Sequence, residues 1–139
     1  MLETELRRRY IAACSRAFPD LRLFNRNVGF FKTPGGGGFR AGIKGQADVY
    51  GYYRPRQGGL LVRAAYGGTE KRIGFITIPL EVELKRYGQH LKPEQEHWRA
   101  WCAEWEVPYL LLEEKDKNAP PSDTIGGWVN ETRSFLATL

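Results

Sequence analysis

The chain has 139 residues, 42% of them hydrophobic and four of them tryptophan, a composition that predicts one folded domain over residues 1–139 and excludes a disordered chain. Its net charge of +5 suits a polyanionic partner, and no stretch approaches the roughly 18 apolar residues that a membrane-spanning helix needs. Cys14 and Cys102 form no metal-binding motif, so we expect buried free thiols in a reducing compartment.

The N-terminal third of the chain predicts a helix, a strand or loop, and a glycine-rich break. Residues 3–18 place Leu6, Tyr10 and Ala13 on one helical face, and Pro19 ends the pattern. The stretch "LRLFNRNVGFF" (21–31) has strand or loop character. The following "TPGGGGFRAG" (33–42) lacks the Gly-Lys-Ser/Thr of a phosphate-binding loop, so we expect a mobile loop.

The rest of the chain alternates strand and helix patterns. A turn feeds a strand in "GIKGQADVYGYY", a hairpin or insertion follows at 54–72, and "IGFITIPLEVELK" is the strongest strand signal. A helix in "HLKPEQEHWRAWCAEW", a strand in "VPYLLLEE" and a last helix opened by Ser122 or Asp123 complete the order. This order predicts an α/β fold, a mixed central sheet flanked by helices.

Charges alternate with apolar residues in the strand "IPLEVELK". Glu81, Glu83 and Lys85 point to one face, and the other face carries apolar side chains: Ile76, Ile78, Leu80, Val82 and Leu84. The simplest interpretation is a strand with one core face and one solvated face. The tryptophans that follow at helical spacing (Trp98, Trp101 and Trp105) are expected in the core.

Asp48 gives this alternation a second interpretation. It lies after a turn at the start of another strand, and if the two strands pair, Asp48 and Glu83 meet with Lys85 close by. Two carboxylates beside a backbone carbonyl suit Mg²⁺ or Mn²⁺. Lys85 could orient or help deprotonate an attacking water, or offset charge on a phosphate. Gln95, early in its helix, could reach the same place; alternatively it is an ordinary surface residue.

The motifs resemble a known family. "GQADVYG" followed by "PLEVELKRYGQHLKPEQEHWRAWCAEWEVPYLLLEE" looks like the VRR-NUC branch of the PD-(D/E)XK nuclease superfamily, over about residues 42–113. The family's pattern is a Gly-x-x-Asp turn and strand, a Glu-x-Lys strand, a Gly or polar turn, a Ser/Lys-Pro-Glu-Gln helix start, an aromatic helix and a closing hydrophobic strand. The resemblance implies a restriction-endonuclease-like core and a metal-dependent endonuclease that hydrolyses DNA, with selectivity for branched DNA (a Holliday junction or flap) as an extension.

The resemblance also implies roles for individual residues. Asp48 and Glu83, with the Leu84 backbone carbonyl, would be ligands of Mg²⁺ or Mn²⁺. Lys85 would be the catalytic lysine and Gln95 the motif glutamine.

Three features of the pattern leave alternatives open. The family uses an acid in its first helix, which would be Glu5 as a catalytic residue and metal ligand, with Glu3 as the competitor. Glu81 could support the metal ligands or take the place of Glu83, although the Glu-x-Lys spacing favours Glu83. Ala47 stands where the family often has proline, and the segment 54–74 adds a strand or flap.

Basic residues would guide DNA to such an acidic site. Four cations are the predicted DNA contacts, with the first ranked highest: Arg26, Lys32, Arg40 and Lys44. Further candidates are Arg22, Arg54, Arg56, Arg63, Lys71 and Arg72. We expect a homodimer, located in the cytoplasm of a bacterium or a phage-infected host and not secreted. The alternatives are a catalytically inert DNA-binding module that keeps the nuclease fold, and a structural or interaction protein in which the charged face of the strand "IPLEVELK" is simply exposed to solvent.

Overall fold

A computed structural model of the chain contains three helices and eight strands among the described residues. Residues 1–27, 29–55, 59–63 and 70–139 are described, and of residues 29–31, 39–41, 59–63 and 70–75 only the backbone is described. In chain order the elements are α1 (Glu3–Ala17), β1 (Leu21–Asn25), β2 (Gly29–Lys32), β3 (Gly38–Ala41), β4 (Val49–Tyr53), β5 (Gly59–Arg63), β6 (Glu70–Phe75), β7 (Ile78–Lys85), α2 (Pro93–Glu104), β8 (Tyr109–Glu113) and α3 (Pro121–Leu136). None of these helices is both long and apolar enough to cross a membrane.

A four-stranded mixed sheet in the order β1-β4-β7-β8 lies at the centre. β1, β4 and β7 are antiparallel neighbours, whereas β8 runs parallel to β7 and is reached through α2. A crossover helix is the usual way to connect two parallel strands, since a short turn only reverses the chain. The β2–β3 and β5–β6 pairs are two hairpins inserted between the sheet strands.

The hydrophobic core lies on one face of this sheet, beneath α1 and α3. Its sheet residues alternate along each strand, and they are Leu21, Leu23, Val49, Leu80, Val82, Leu84 and Leu112. Tyr10 of α1 packs edge-on against Trp128 of α3, with ring centroids 6.0 Å apart, and its hydroxyl lies 2.9 Å from Thr132 Oγ1. Helix-to-helix contact therefore closes the apolar side, and α2 occupies the opposite face.

These observations confirm the α/β class and the mixed sheet flanked by helices. The segment 54–74 contributes the β5–β6 hairpin, and the glycine-rich stretch turns between β2 and β3, where Thr33 N–H donates to the Gly37 carbonyl over 2.8 Å. Cys14 and Cys102 are buried free thiols, as predicted.

Three details of the sequence prediction are wrong. The long strand predicted over 73–85 divides between β6 and β7. α3 begins at Pro121 rather than at a polar cap, because proline at the first helical position loses no hydrogen bond. Trp101 and Trp105 are 40% and 66% exposed, because only the Cys102 side of α2 packs inward.

Candidate active site

Three charged side chains of β7 are buried. Glu81, Glu83 and Lys85 are only 7%, 1% and 8% exposed, so the interpretation of this face as solvated is wrong. Burying a charge costs free energy unless the charge is paired and hydrogen-bonded. The side chains that pair with these three residues therefore show how this face of the sheet accommodates buried charge.

Glu83 is the centre of a hydrogen-bonded group. Its Oε1 accepts from Gln95 Nε2 at 2.9 Å and lies 3.3 Å from Lys85 Nζ, and its Oε2 accepts the Asp48 backbone N–H at 3.2 Å. Burial and the nearby Asp48 charge raise the pKa of Glu83 to about 7, against the lowering effect of Lys85. We call Asp48, Glu83, Lys85 and Gln95 the Glu83 cluster.

Gln95 enters the cluster from the first turn of α2. Pro93 begins the helix, and the Gln95 side-chain oxygen accepts the backbone N–H of Lys92 over 2.9 Å. The same oxygen accepts a hydrogen bond from Lys85 Nζ over 2.8 Å. The helix start thereby holds Gln95 between the acid and the lysine of β7, where the sequence pattern placed it.

Asp48 joins the cluster because of strand register. Val49 pairs with Val82, so the preceding residue lies beside Glu83. Burial is the largest influence on the Asp48 carboxyl and raises its pKa; Glu3 also raises it, while Arg7, Lys85 and a backbone hydrogen bond from Leu84 lower it. The carbonyl of Leu84 faces the same neighbouring strand, because the N–H and C=O of one strand residue point the same way.

Glu5 does not reach the cluster, which corrects the prediction for α1. Its carboxylate is bound by Arg8 Nη2 at 2.6 Å and Arg9 Nε at 3.1 Å on the outer side of the helix. Glu3 is the acid on the side of Asp48, because two residues along a helix turn a side chain to the opposite face. Of the two competing acids, Glu3 is the one near the site.

Arg7 is a site residue that the motif analysis missed. Its Nη2 lies 3.4 Å from Asp48 Oδ1 and 3.3 Å from Glu3 Oε1, and its Nη1 donates to Asn25 Oδ1 over 3.1 Å. Its Nε is buried and has no hydrogen-bond partner among the described residues. A sequence signal existed, since Arg7 follows Glu3 by one helical turn and lies one turn before the buried Tyr10.

Arg26, ranked first among the predicted DNA contacts, is engaged inside the protein. Its guanidinium makes a two-pronged ion pair with Glu81, at 2.6 and 3.0 Å, and donates to the Ala47 carbonyl over 3.3 Å. It also lies 4.7 Å from the centre of the Tyr50 ring. Glu81 is thus neutralised by Arg26 and does not take the place of Glu83, because the paired carboxylate is already satisfied.

The other predicted DNA contacts are at the surface or outside the described residues. Lys32 is exposed at the end of β2, and Lys44 is exposed with its Nζ 3.8 Å from Glu94 Oε1. Arg22 is also exposed, and Arg54 lies 3.7 Å from Asp20. The side chains of five candidates lie outside the described part of the chain: Arg40, Arg56, Arg63, Lys71 and Arg72.

The cluster's donor set is compatible with a small divalent cation. Among the described side chains, no three Asp, Glu, His or Cys residues come together as a metal site. Asp48 and Glu83 are nevertheless adjacent, and burial disfavours the charged form of both. Mg²⁺ usually keeps several waters and needs only one or two protein carboxylates, so this pair, with the Leu84 carbonyl, fits Mg²⁺ or Mn²⁺.

Comparison with known proteins gives no family for this chain. No solved structure matches its fold. No protein-family model and no curated protein matches its sequence.

Proposed function

We propose that this chain is a divalent-metal-dependent endonuclease that hydrolyses phosphodiester bonds in DNA, with the Glu83 cluster as its active site. One observation carries the proposal. The four cluster residues, separated by up to 47 positions in the sequence, form one hydrogen-bonded group around the buried Glu83 and Lys85, although a lone strand face of alternating charges is ordinarily solvated.

The architecture supports the same proposal. The sheet carries Asp48 at the start of β4, Glu83 and Lys85 on the neighbouring β7, and Gln95 on the helix that follows. This arrangement fits the restriction-endonuclease-like PD-(D/E)XK core of the VRR-NUC type that the motif resemblance implies. The inserted hairpins leave the antiparallel pairing of β1, β4 and β7 intact.

In the proposed enzyme, Asp48 and Glu83 hold Mg²⁺ or Mn²⁺ together with the Leu84 carbonyl. Such a bound cation polarises a phosphodiester and lowers the pKa of a coordinated water. Glu3, rather than Glu5, is the acid of α1 close enough to support this site. Arg7 balances part of the carboxylate charge of Asp48.

The remaining cluster residues act on the phosphate and on one another. Lys85 brings an ammonium group beside Glu83, where it stabilises negative charge that develops on phosphate oxygens and orients the attacking water. Gln95 touches both residues and keeps their separation fixed. Its role is therefore to position Glu83 and Lys85.

Selectivity for branched DNA and a homodimeric state are an extension of this proposal. A four-way junction has two-fold symmetry, and a symmetric dimer presents two equivalent sites to it. Exposed cations such as Lys32 and Lys44 would contact phosphates without reading sequence.

Cleavage of labelled duplex, flap, single-stranded and four-way-junction DNA in Mn²⁺, in Mg²⁺ and in chelator tests the proposal. We expect metal-dependent products from the wild type, and a loss of at least about a thousandfold in Asp48→Ala and Lys85→Ala. Glu104→Ala, which removes an exposed acid of α2, is the matched control and should cut normally. Tight binding in chelator with no product on any substrate would instead identify the inert DNA-binding module.

A further inference from the structure

The half of the site-bearing sheet face formed by β1 and β4 carries aromatic side chains. Phe24 pairs with Tyr50 across the two strands, and Tyr50 pairs in turn with Glu81 of β7. Paired residues in antiparallel strands share a face, so Phe24, Tyr50 and Tyr52 lie on the face that carries Glu83. We call these three residues the aromatic face.

Two rings of the aromatic face are open to solvent. Phe24 and Tyr52 are 44% and 47% exposed. Phe24 stacks on Tyr50 with centroids 5.4 Å apart and planes 26° apart, and Tyr52 meets both rings edge-on at 6.3 and 6.4 Å. Cross-strand aromatic pairing explains why the rings touch, but an open sheet face normally carries polar side chains.

Two arginines lie beside these rings: Arg22, which carries a positive charge, and Arg26, which is paired with Glu81. Arg22 pairs with Tyr52 and is exposed, and its guanidinium donates to the carbonyls of Pro19 and Leu21, which leave its charge in place. Arg26 lies over the Tyr50 ring and neutralises Glu81, the acid of this face nearest to the rings. Flat rings beside cations suit a strand of unpaired bases and phosphates.

We propose that the aromatic face binds an unpaired strand of DNA, with bases stacked on Phe24 and Tyr52 and phosphates near Arg22. Tyr50 and Tyr52 lie two and four residues along the chain from Asp48, about 7 and 13 Å in an extended strand. A strand bound there therefore leads to the Glu83 cluster. This last step rests on the proposed function. It gives the substrate of the proposed nuclease as DNA with an unpaired segment beside the cleaved bond.

Anisotropy of a short labelled oligothymidylate in chelator tests the binding without any cleavage. Phe24→Ala and Tyr52→Ala should each weaken binding about five- to a hundredfold, whereas Tyr52→Phe, which keeps the ring, should stay within about twofold. Trp105→Ala removes an exposed ring from α2 and should leave binding unchanged. Wild-type affinity in both alanine variants, with normal circular dichroism and melting, would overturn the inference.

Cleavage separates this inference from the proposed function. In Mg²⁺ the wild type should cut a duplex with a single-stranded tail faster than a blunt duplex, and the ratio of these two rates should fall toward one in Phe24→Ala and Tyr52→Ala. If no DNA is cut, the proposed nuclease fails, and the oligothymidylate titration still decides whether the face binds an unpaired strand.

Self-association is the competing use of the same face. If the wild type is a dimer by light scattering, both alanine variants are monomers, and oligothymidylate affinity is the same in all three, the aromatic face is an interface between copies and the inference is wrong. Variants that keep the wild-type mass and lose oligothymidylate binding support it.

Discussion

Gln95 Nε2 donates to Glu83 Oε1 over 2.9 Å, while the oxygen of the same amide accepts from Lys85 Nζ over 2.8 Å. A neutral amide can do both, whereas a carboxylate at this position would repel Glu83 and an ammonium would repel Lys85. The amide therefore sets the distance and orientation of the acid and the lysine. A glutamine early in a helix, which by sequence alone resembles a surface residue, is in this way part of the site.

Substitution of Gln95 should lower the rate of cleavage without removing metal-dependent activity. Gln95→Ala leaves Glu83 and Lys85 each short of a partner, and we expect about a ten- to hundredfold lower kcat and a loss of about 1–3 kcal/mol in the free energy of unfolding. Gln95→Glu should be at least as slow, since it adds a third carboxyl group to the cluster. Single-turnover cleavage and urea unfolding measure both effects.

The neighbouring Glu96→Gln is the control for Gln95, because Glu96 is exposed on α2. It should match the wild type in both measurements. An equal loss of activity in Glu96→Gln and Gln95→Ala would contradict a positioning role for the amide.

The raised pKa of Glu83, about 7, predicts that stability in chelator falls as pH rises. Between pH 4.5 and 7 the native state keeps a proton that the unfolded chain has released, so the free energy of unfolding declines across this interval, by about 1–3 kcal/mol from Glu83 alone, and levels off above it. The pKa values of Asp48 and Glu81 are also raised and add in the same direction. Urea unfolding between pH 5 and 8 measures the slope.

Glu83→Gln removes the titrating group and should show a shallower slope than the wild type. Saturating Mn²⁺ at pH 8 should restore stability to the wild type and have little effect on Glu83→Gln, because a ligand that binds only the native state raises the free energy of unfolding. Identical pH slopes in the two proteins would show that Glu83 does not titrate in this range.

Removal of one partner of the Arg26–Glu81 ion pair should destabilise the protein more than replacement of both partners by apolar residues. Arg26→Ala leaves Glu81 buried and unpaired, and we expect a loss of about 2–4 kcal/mol in the free energy of unfolding. Replacing both partners, in Arg26→Met with Glu81→Leu, should cost less than Arg26→Ala alone. A double-mutant cycle of Arg26→Met and Glu81→Leu, followed by urea unfolding, measures the coupling energy of the pair. Fully additive losses in the free energy of unfolding would show that the two side chains do not interact.

Gly45 packs closely against the first turn of α2. It has a φ of +93°, and a Cβ at this position would lie 2.2 Å from the carbonyl oxygen of Glu94, next to Gln95. Gly45→Ala should therefore cost about 3 kcal/mol and displace the start of the helix, so that cleavage also slows.

Gly88→Ala is the matched variant for Gly45. Its φ of +75° is also left-handed, but a Cβ there would meet no atom of the described part of the chain within 4 Å. We expect a loss of only about 1 kcal/mol and normal cleavage. Equal losses at the two glycines would mean that backbone conformation, and not contact with α2, determines the cost.

Periodicity in the sequence predicts α1, α2 and the two faces of β7, because local spacing decides which side chains share a face. It does not predict that the charged face of β7 is buried. That burial comes from α2, a separate element that packs on this face through Gln95. The motif spacing identifies Asp48, Glu83, Lys85 and Gln95, and these are the residues that the fold brings together.

The errors in the site arise where a side chain's partner lies far away in sequence. Glu5 and Glu3 differ by less than one helical turn, and only the packing of α1 on β1 decides which of them faces Asp48. By sequence alone Arg26 resembles a free cation. In the fold, the sheet brings it to Glu81, which is 55 positions away. Long cationic side chains carry no local signal that separates an internal ion pair from a DNA contact.

One comparison tests the central claim most directly: metal-dependent cleavage of labelled flap DNA by the wild type, Lys85→Met and Lys92→Met. Lys85 is a buried member of the Glu83 cluster, and Lys92 is an exposed lysine at the start of the adjacent helix. We predict products in Mn²⁺ from the wild type and Lys92→Met, and a rate at least about a thousandfold lower in Lys85→Met, as in Lys85→Ala. Undiminished cleavage by Lys85→Met, or cleavage that persists in chelator, would contradict the assignment of the Glu83 cluster as a metal-dependent nuclease site.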